Sequence, residues 1–342
     1  MSKAKQGGQS VVTLTKEEKQ TLDFTRKYML DMLFISIAPI IMAVYYYGLR
    51  VRMLVGVSVL TAVLSELFAA RVFSCRSSVS DLSSVVIGVL SALCLSASAQ
   101  WYVAVLVSSF AVLAVKMPFG SALGHLFSPT CAGLAFVSIC LKDKMFNYPN
   151  IVSAADRAVY YGSETFSSGE SIAQMLSKGN SIGRNVINYI DIFVGNVPGA
   201  MGVTCVLALI GGLVYITIRR PKAAVITYCY LLTCGVIAYL FPRVTTGRWI
   251  SVFMELTAGL LLFAGITFLT NESIAPSRIL PRILYGITAG VLVMLLRHVG
   301  SFEDSTVFAI LLLNSFAPVF DRLPTFAALK EKALKDGGAE NG

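Results

Sequence analysis

Lys116-Met-Pro-Phe-Gly-Ser-Ala-Leu-Gly-His-Leu-Phe-Ser-Pro-Thr130 lies between two apolar runs, 101–117 and 128–141, and its reading decides the fold. Its glycines and prolines argue against one uninterrupted helix. At membrane depth such a segment is a re-entrant or broken helix, tolerated only where protein or water satisfies its backbone. Outward from it, apolar runs recur at 29–48, 53–73 and 82–98 before it, and at 199–218, 223–241, 250–270, 281–297 and 305–320 after it. That makes ten runs, five on each side of one long polar interval, some shorter than the roughly 20 residues of a full crossing. A second polar interruption, Leu269-Thr-Asn-Glu-Ser-Ile-Ala-Pro-Ser277, follows the eighth run, and Phe127-Ser-Pro-Thr130 is echoed by Phe316-Ala-Pro-Val319. Short or broken segments at matching places in two halves point to an inverted repeat with a site between them. The expectation is an all-α polytopic membrane protein of about ten transmembrane helices, arranged as a five-plus-five inverted repeat with broken helices.

Composition agrees with this reading. The 342 residues are 56% hydrophobic and only 14% charged, with a mean hydropathy of +0.72. The apolar runs are continuous rather than alternating, which excludes a membrane β-barrel. The first 28 residues are polar and carry no apolar stretch of the kind a cleaved signal needs. The chain divides into a cytoplasmic tail at 1–28, a first membrane half at 29–141, an outward loop at 142–198, a second membrane half at 199–320 and a cytoplasmic tail at 321–342. The net charge of +9 reads as the excess of Lys and Arg on cytoplasmic loops rather than as a nucleic-acid surface. With the N-terminus inside, eighteen Lys and Arg fall on inner segments and five (Arg50, Arg52, Arg243, Arg248, Arg297) on short outer loops. Both termini are therefore expected in the cytoplasm of a multi-pass inner-membrane protein, with the long loop facing out. The seven cysteines form no CxxC pair, so spacing supports neither an iron–sulfur cluster nor a structural zinc. No GxGxxG or P-loop pattern is present.

Within the long loop, Thr165-Phe-Ser-Ser-Gly-Glu-Ser171 is small and hydroxyl-rich, suited to meeting a modifying enzyme. Glu255, an acid inside the eighth run, is either buried on an ion or proton route or close enough to the outer loop to snorkel. The glycines at 199, 202, 211 and 212 read as sites of close helix packing. Residues 14–27 suggest a separate short surface helix.

Lys116 to Phe136, KMPFGSALGHLFSPTCAGLAF, resembles the D-type membrane subunit of the Rnf ferredoxin:NAD oxidoreductase complex and, more distantly, the B-type subunit of the sodium-pumping NADH:quinone reductase. Lys116, Phe119, Gly120, Gly124, Phe127, Pro129, Ala132, Gly133, Ala135 and Phe136 keep the family pattern. Asp81-Leu-Ser-Ser-Val-Val86, Asp191-Ile-Phe-Val-Gly-Asn-Val-Pro-Gly199 and Phe308 to Arg322 match in the same order, so the resemblance covers nearly all the membrane portion. It implies a flavin mononucleotide (FMN) joined by a phosphoester to a hydroxyl in a D-g-x-S-G-A-T type motif by a dedicated flavin transferase. Ser168 and Gly169 are retained here and Ser171 falls on the acceptor position, whereas Thr165 stands for Asp and Glu170 for Ala. Other departures are Gly120-Ser121, Ser128-Pro129-Thr130 and Thr270-Asn271-Glu272-Ser273-Ile274.

Lys116, Gly120, His125 and Pro129 join Ser168, Gly169 and Ser171 as candidate cofactor-binding residues. Lys116 reads either as a contact to a phosphate or ribityl group or as a positive-inside anchor. His125 reads as a flavin or quinone contact or as a hydrogen-bonded helix-break residue. What the resemblance implies is a membrane subunit of an Rnf-like electron transport complex, part of an ion-translocating oxidoreductase. It would carry covalent FMN on Ser171 or a non-covalent flavin, among other membrane and flavoprotein subunits in the lipid bilayer. The competing readings are a secondary transporter and a flavin-free scaffold subunit of the same fold. The charge asymmetry sets a test: a cysteine at Ser163 labels with an impermeant reagent from outside the cell and one at Ser277 does not, and the reverse pattern would overturn the orientation.

Overall fold

In hydrocarbon a backbone amide has no water to bind, so apolar runs of this length fold as helices whose hydrogen bonds close within the segment. The computed structural model, which describes residues 16–72, 81–121, 124–125, 127–151, 168–177, 188–244, 247–299 and 305–322, follows this rule. Helices α1 (Lys16–Tyr47), α2 (Leu49–Val72), α3 (Ser83–Leu93) and α4 (Trp101–Phe110) come first. α4 runs on through a π-helical turn at Ala111–Lys116 into α5 (Met117–Phe119). A two-residue hairpin, β1 (Gly120–Ser121) with β2 (Gly124–His125), leads to α6 (Pro129–Cys140) and α7 (Lys142–Met145). In the long loop β3 (Tyr148–Pro149) pairs with β4 (Ser168–Gly169), followed by α8 (Ile172–Ser177) and α9 (Tyr189–Val194). The second half contains α10 (Val206–Arg219), α11 (Pro221–Leu240), α12 (Arg248–Thr257), α13 (Leu261–Thr267), α14 (Ile279–Val299) and α15 (Thr306–Asp321).

Among the described residues five helices are long and apolar enough to cross a membrane: Asp23–Tyr47, Leu49–Val72, Trp101–Phe119, Pro221–Leu240 and Ile279–Val299. α12 and α13 make a sixth if the pair is one span, bent by 54°. Four shorter apolar helices, α3, α6, α10 and most of α15, complete the set. The protein is thus an all-α multi-pass membrane protein. Large apolar side chains such as Phe34, Met53, Leu60, Phe68, Leu207 and Leu232 stay exposed around the bundle, as a lipid-facing surface requires.

Three expected features come out differently. α1 begins at Lys16 and absorbs the separate surface helix expected at 14–27, because no helix breaker interrupts the chain before Pro39. The 82–98 run stops being helical at Leu93, and the 199–218 run becomes helical only at Val206. These two irregular strips lie side by side: Ser96 bridges Ala200, Met201 N donates to Leu95 O (2.9 Å) and Gly202 N to Leu93 O (2.8 Å). In the 250–270 run the break is at Ala258–Leu260, where Gly259 has φ +56°, a left-handed conformation that favours glycine. The polar stretch 269–277 lies after α13, following the eighth run as expected.

α2 packs on α3 and α4, and α4 on α6; α11 packs on α12, α13 and α14, and α14 on α15. The halves meet through α1 with α10 and α6 with α15. Small residues set the closest crossings. A Cβ on Gly88 would lie 2.6 Å from Val59 Cα, and one on Gly286 2.7 Å from Ile226 O. Gly286→Ala therefore forces α14 off α11 and is expected to cost about 1–3 kcal/mol. Gly211→Ala points into open space and is expected to be neutral or slightly stabilising. Thermal unfolding of the two variants in one detergent checks this; equal melting temperatures would refute the packing.

Candidate functional site

The loop motif is held by its neighbours rather than displayed on a free tip. Ser168 Oγ donates to Asn147 Oδ1 (2.6 Å), and the β3–β4 pair sets Gly169 opposite Tyr148. A side chain on Gly169 would strike Asn150 Oδ1 and come within 2.6 Å of Pro198 Cγ, so glycine is required there by close approach. Asn147 O accepts hydrogen bonds from Ser96 and Ser98, which ties the loop to the end of α3.

Ser171 then starts α8. Gln174 N donates to Ser171 Oγ (3.1 Å) while Ser171 N donates to Gln174 Oε1 (3.0 Å). This is a reciprocal capping box, the Ser-x-x-Gln form of a helix start. Gln174 Nε2 also donates to Phe146 O (2.9 Å), and Ile172, Ala173 and Leu176 are buried. Ser171 is accordingly only 5% exposed. The surface-loop serine expected from the polar sequence is a buried cap, because the apolar residues that follow it dock on the bundle. Its side chain lines a cleft of about 510 Å³ with Phe146, Tyr148, Pro198, Thr257 and Leu260. Thr165, the hydroxyl at the other end of the motif, lies outside the described residues.

The remaining candidates gather at the opposite end of the bundle. Pro129 occupies the first turn of α6, where its fixed φ suits a helix start. It lines a second cleft of about 440 Å³ with Tyr28 and Met32 of α1, Leu90 of α3 and Asn271 beyond α13. Asn314 of α15 places its amide oxygen 3.0 Å from Ser128 N and its nitrogen toward the Tyr285 hydroxyl and Ile310 O, the orientation that satisfies all three partners. Gly120 and His125 lie in the β1–β2 hairpin, whose base is flanked by Phe119 and Phe127 edge to face at 5.9 Å. The His125 side chain lies outside the described residues.

Lys116 lines neither cleft. It sits in the π-helical turn, 5% exposed, with Nζ 2.9 Å from Glu66 Oε2 and donating to Ser84 Oγ (2.8 Å), which in turn donates to Glu66 Oε2 (2.5 Å). Its charge is matched by a buried carboxylate, so the geometry favours neither the phosphate contact nor the solvated anchor. Glu255 proves buried at 1%, with Oε2 3.2 Å from Arg297 Nη1 and Oε1 3.3 Å from Arg243 Nε.

Sequence reasoning missed two charged groups. One is Glu66, legible by the criterion applied to Glu255, an acid inside an apolar run. The other joins Arg220 to Asp31 (2.8 Å) and Glu272 (2.6 Å), with the guanidinium 5.0 Å from the Tyr28 ring centre. No local spacing announces it, since α1, α11 and the loop after α13 meet only in the fold. Among the described residues no group of three His, Cys, Asp or Glu is placed to hold a metal.

Glu66→Gln would leave a buried ammonium without its counter-charge and is expected to destabilise by about 3–5 kcal/mol. The double variant Glu66→Met with Lys116→Met should recover most of that loss. A double-mutant cycle on thermal unfolding measures the coupling, and additive effects would refute the pair.

Residues 19–328 match the family described as NQR2, RnfD, RnfE. The chain is 25% identical over 300 residues to the D-type subunit of the Na(+)-translocating ferredoxin:NAD(+) oxidoreductase complex of Acetobacterium woodii, covering 87% of this chain and 88% of the relative. It is 24% identical over 302 residues to the D-type subunit of the ion-translocating oxidoreductase complex of Halorhodospira halophila, covering 81% and 84%. The equivalent protein of Cronobacter sakazakii is 24% identical over 328 residues, covering 87% and 92%. The family match runs from within α1 past the end of α15 and takes in both clefts: the chain belongs to the NQR2, RnfD, RnfE family.

Proposed function

We propose that the chain is the D-type membrane subunit of an Rnf-like ion-translocating oxidoreductase, seated in the inner membrane with both termini cytoplasmic. It passes electrons among other membrane and flavoprotein subunits and couples that transfer to ion movement. The observation that carries this reading is collinearity: relatives named as the D-type component of such complexes align over most of their own length. In this reading the bent pair and the four short helices also cross or enter the bilayer, giving ten segments in two inverted halves. Supporting the repeat, α2 packs on α3 and α4 and α4 on α6, as α11 packs on α12–α13 and α14 and α14 on α15. The fourth segment of each half ends in a buried cation, Lys116 and Arg297, that holds the third.

FMN on Ser171 fits the residues present. Ser171 lines the cleft with Phe146, Tyr148, Pro198 and Leu260, so its hydroxyl would hold the phosphate and these side chains would surround the attachment point. When bound, flavin supplies electron transfer, while the protein supplies position and dielectric. Ser171 would be the attachment point, Gly169 keeps the preceding turn tight, and the apolar wall limits water. Glu170, exposed beside it, sets a negative charge near the phosphate. Pro129, on the second cleft, would be the contact for a non-covalent flavin. One observation favours the flavin-free scaffold instead: the Ser171 hydroxyl already serves as a helix cap.

Co-expression with a flavin transferase, followed by in-gel ultraviolet fluorescence of the denatured protein, separates the readings. Fluorescence is expected for the unaltered chain and for Ser171→Thr, and none for Ser171→Ala at equal expression. The flavin mass on a peptide lacking Ser171 would refute the assignment, and no flavin in any sample would leave the scaffold reading.

A further inference from the structure

We infer that the capping box seals Ser171, so that flavin is attached before α8 docks and the folded protein is a poor substrate for the transferase. This rests on the reading of Ser171 as the acceptor. The attachment is a phosphoryl transfer. Ser171 Oγ forms a P–O bond to the flavin mononucleotide phosphorus of a flavin dinucleotide donor. The pyrophosphate P–O bond breaks, a nucleoside monophosphate leaves with its electron pair, and the hydroxyl proton passes to a base of the transferase. Nothing is oxidised or reduced. Such a step needs the nucleophile and the leaving oxygen roughly in line across phosphorus, hence an Oγ that a dinucleotide donor held by the transferase can reach.

The folded loop restricts that approach. Oγ accepts the Gln174 N–H, Ser171 N–H is held by Gln174 Oε1, and the same Gln174 amide is tied through Nε2 to Phe146 O. Met175 N donates to Ser171 O (2.9 Å), closing the first helical turn on the acceptor residue. Ser171 is 5% exposed, whereas Ser168 and Glu170 on either side of Gly169 are exposed. The flanks of the motif can be read from solvent, but the hydroxyl faces inward. To present it, α8 must lift Ile172, Ala173 and Leu176 from the core and open the box. Loss of a single capping partner shifts such an opening equilibrium about tenfold.

The test uses the full chain purified in detergent without transferase, in two arms. In the first, a maleimide is added to the Ser171→Cys and Ser168→Cys variants. Ser171→Cys is expected to label at least about tenfold more slowly. Adding Gln174→Ala should speed it about tenfold and leave Ser168→Cys unchanged. Equal labelling of the two cysteines would overturn the seal. In the second arm, transferase and flavin dinucleotide are added to the folded unaltered chain and to folded Gln174→Ala. The unaltered chain should gain flavin slowly and Gln174→Ala about tenfold faster, while co-expressed protein is fully labelled. Equal rates for both folded proteins would overturn the proposed order. Absence of flavin even on co-expression would instead remove the acceptor reading, and the labelling arm would still decide whether Ser171 is sealed.

Discussion

Every place where this backbone leaves a helix inside the bundle has to find its hydrogen bonds from protein, because lipid supplies none. The strip after α3 and the strip before α10 solve this jointly, each donating or accepting what the other lacks. At the α12–α13 bend, Arg297 Nη2 donates to Ala258 O (2.8 Å) and Nη1 to Glu255 O (3.2 Å). After α13, Arg282 Nε donates to Pro276 O (2.6 Å). At the start of α6 the partner is Asn314 from α15. Except at Pro276, where Arg282 is six residues away, each of these breaks is closed by a group from a segment distant in sequence, so they also bind the helices to one another.

Buried cations create a second requirement, since a desolvated charge needs a counter-charge. Glu255 meets it for Arg297, with Arg243 on its other oxygen. Glu66 meets it for Lys116, and Asp31 with Glu272 for Arg220. The clusters sit on α2–α3–α4, between α12, α14 and Arg243 just past α11, and where α1 meets the α10–α11 junction. Those are the junctions within each half and between the halves. The network therefore marks where the bundle resists sliding, and at Arg297 it also closes a break in the backbone.

This dependence on distant partners explains which parts of the molecule could be read in advance. The apolar runs, the irregular stretch at 116–130 and the Ser171 motif are local signals, and the helices of the bundle fall within or across those runs, though several stop short of the run's ends. The bend at 258–260 was not legible. Its only local sign is Gly259, and the guanidinium that stabilises it comes from α14. The end of α3 at Leu93 was missed for the same reason, because apolar Leu95 and Ala97 read as helix until residues 196–204 compete for their backbone. Lys116 was singled out for the right position and the wrong partner: its pairing with Glu66 depends on α2 lying against α4. The capping box is the opposite case. Ser171-Ile-Ala-Gln174 is a local signal, and it shows that the hydroxyl of the flavin motif is also the start of a helix.

That double use bears on how redox and movement are connected in the proposed function. The cleft beside Ser171 takes Cys94, Phe146 and Tyr148 from the first half and the loop, and Thr257, Gly259 and Leu260 from the bend of the second. The bend is held by Arg297, whose counter-ion Glu255 lies two residues before Thr257. A change of charge on a group held in the cleft would therefore be felt next to the α12–α13 bend, a stretch where the second half is not helical. Irregular backbone with a left-handed glycine has more conformations within reach than a regular helix does, while the paired strips at 94–100 and 196–204 hold the other wall. One wall that can rearrange and one that is tied by hydrogen bonds make the α12–α13 bend the place where electron transfer would act on the position of a helix.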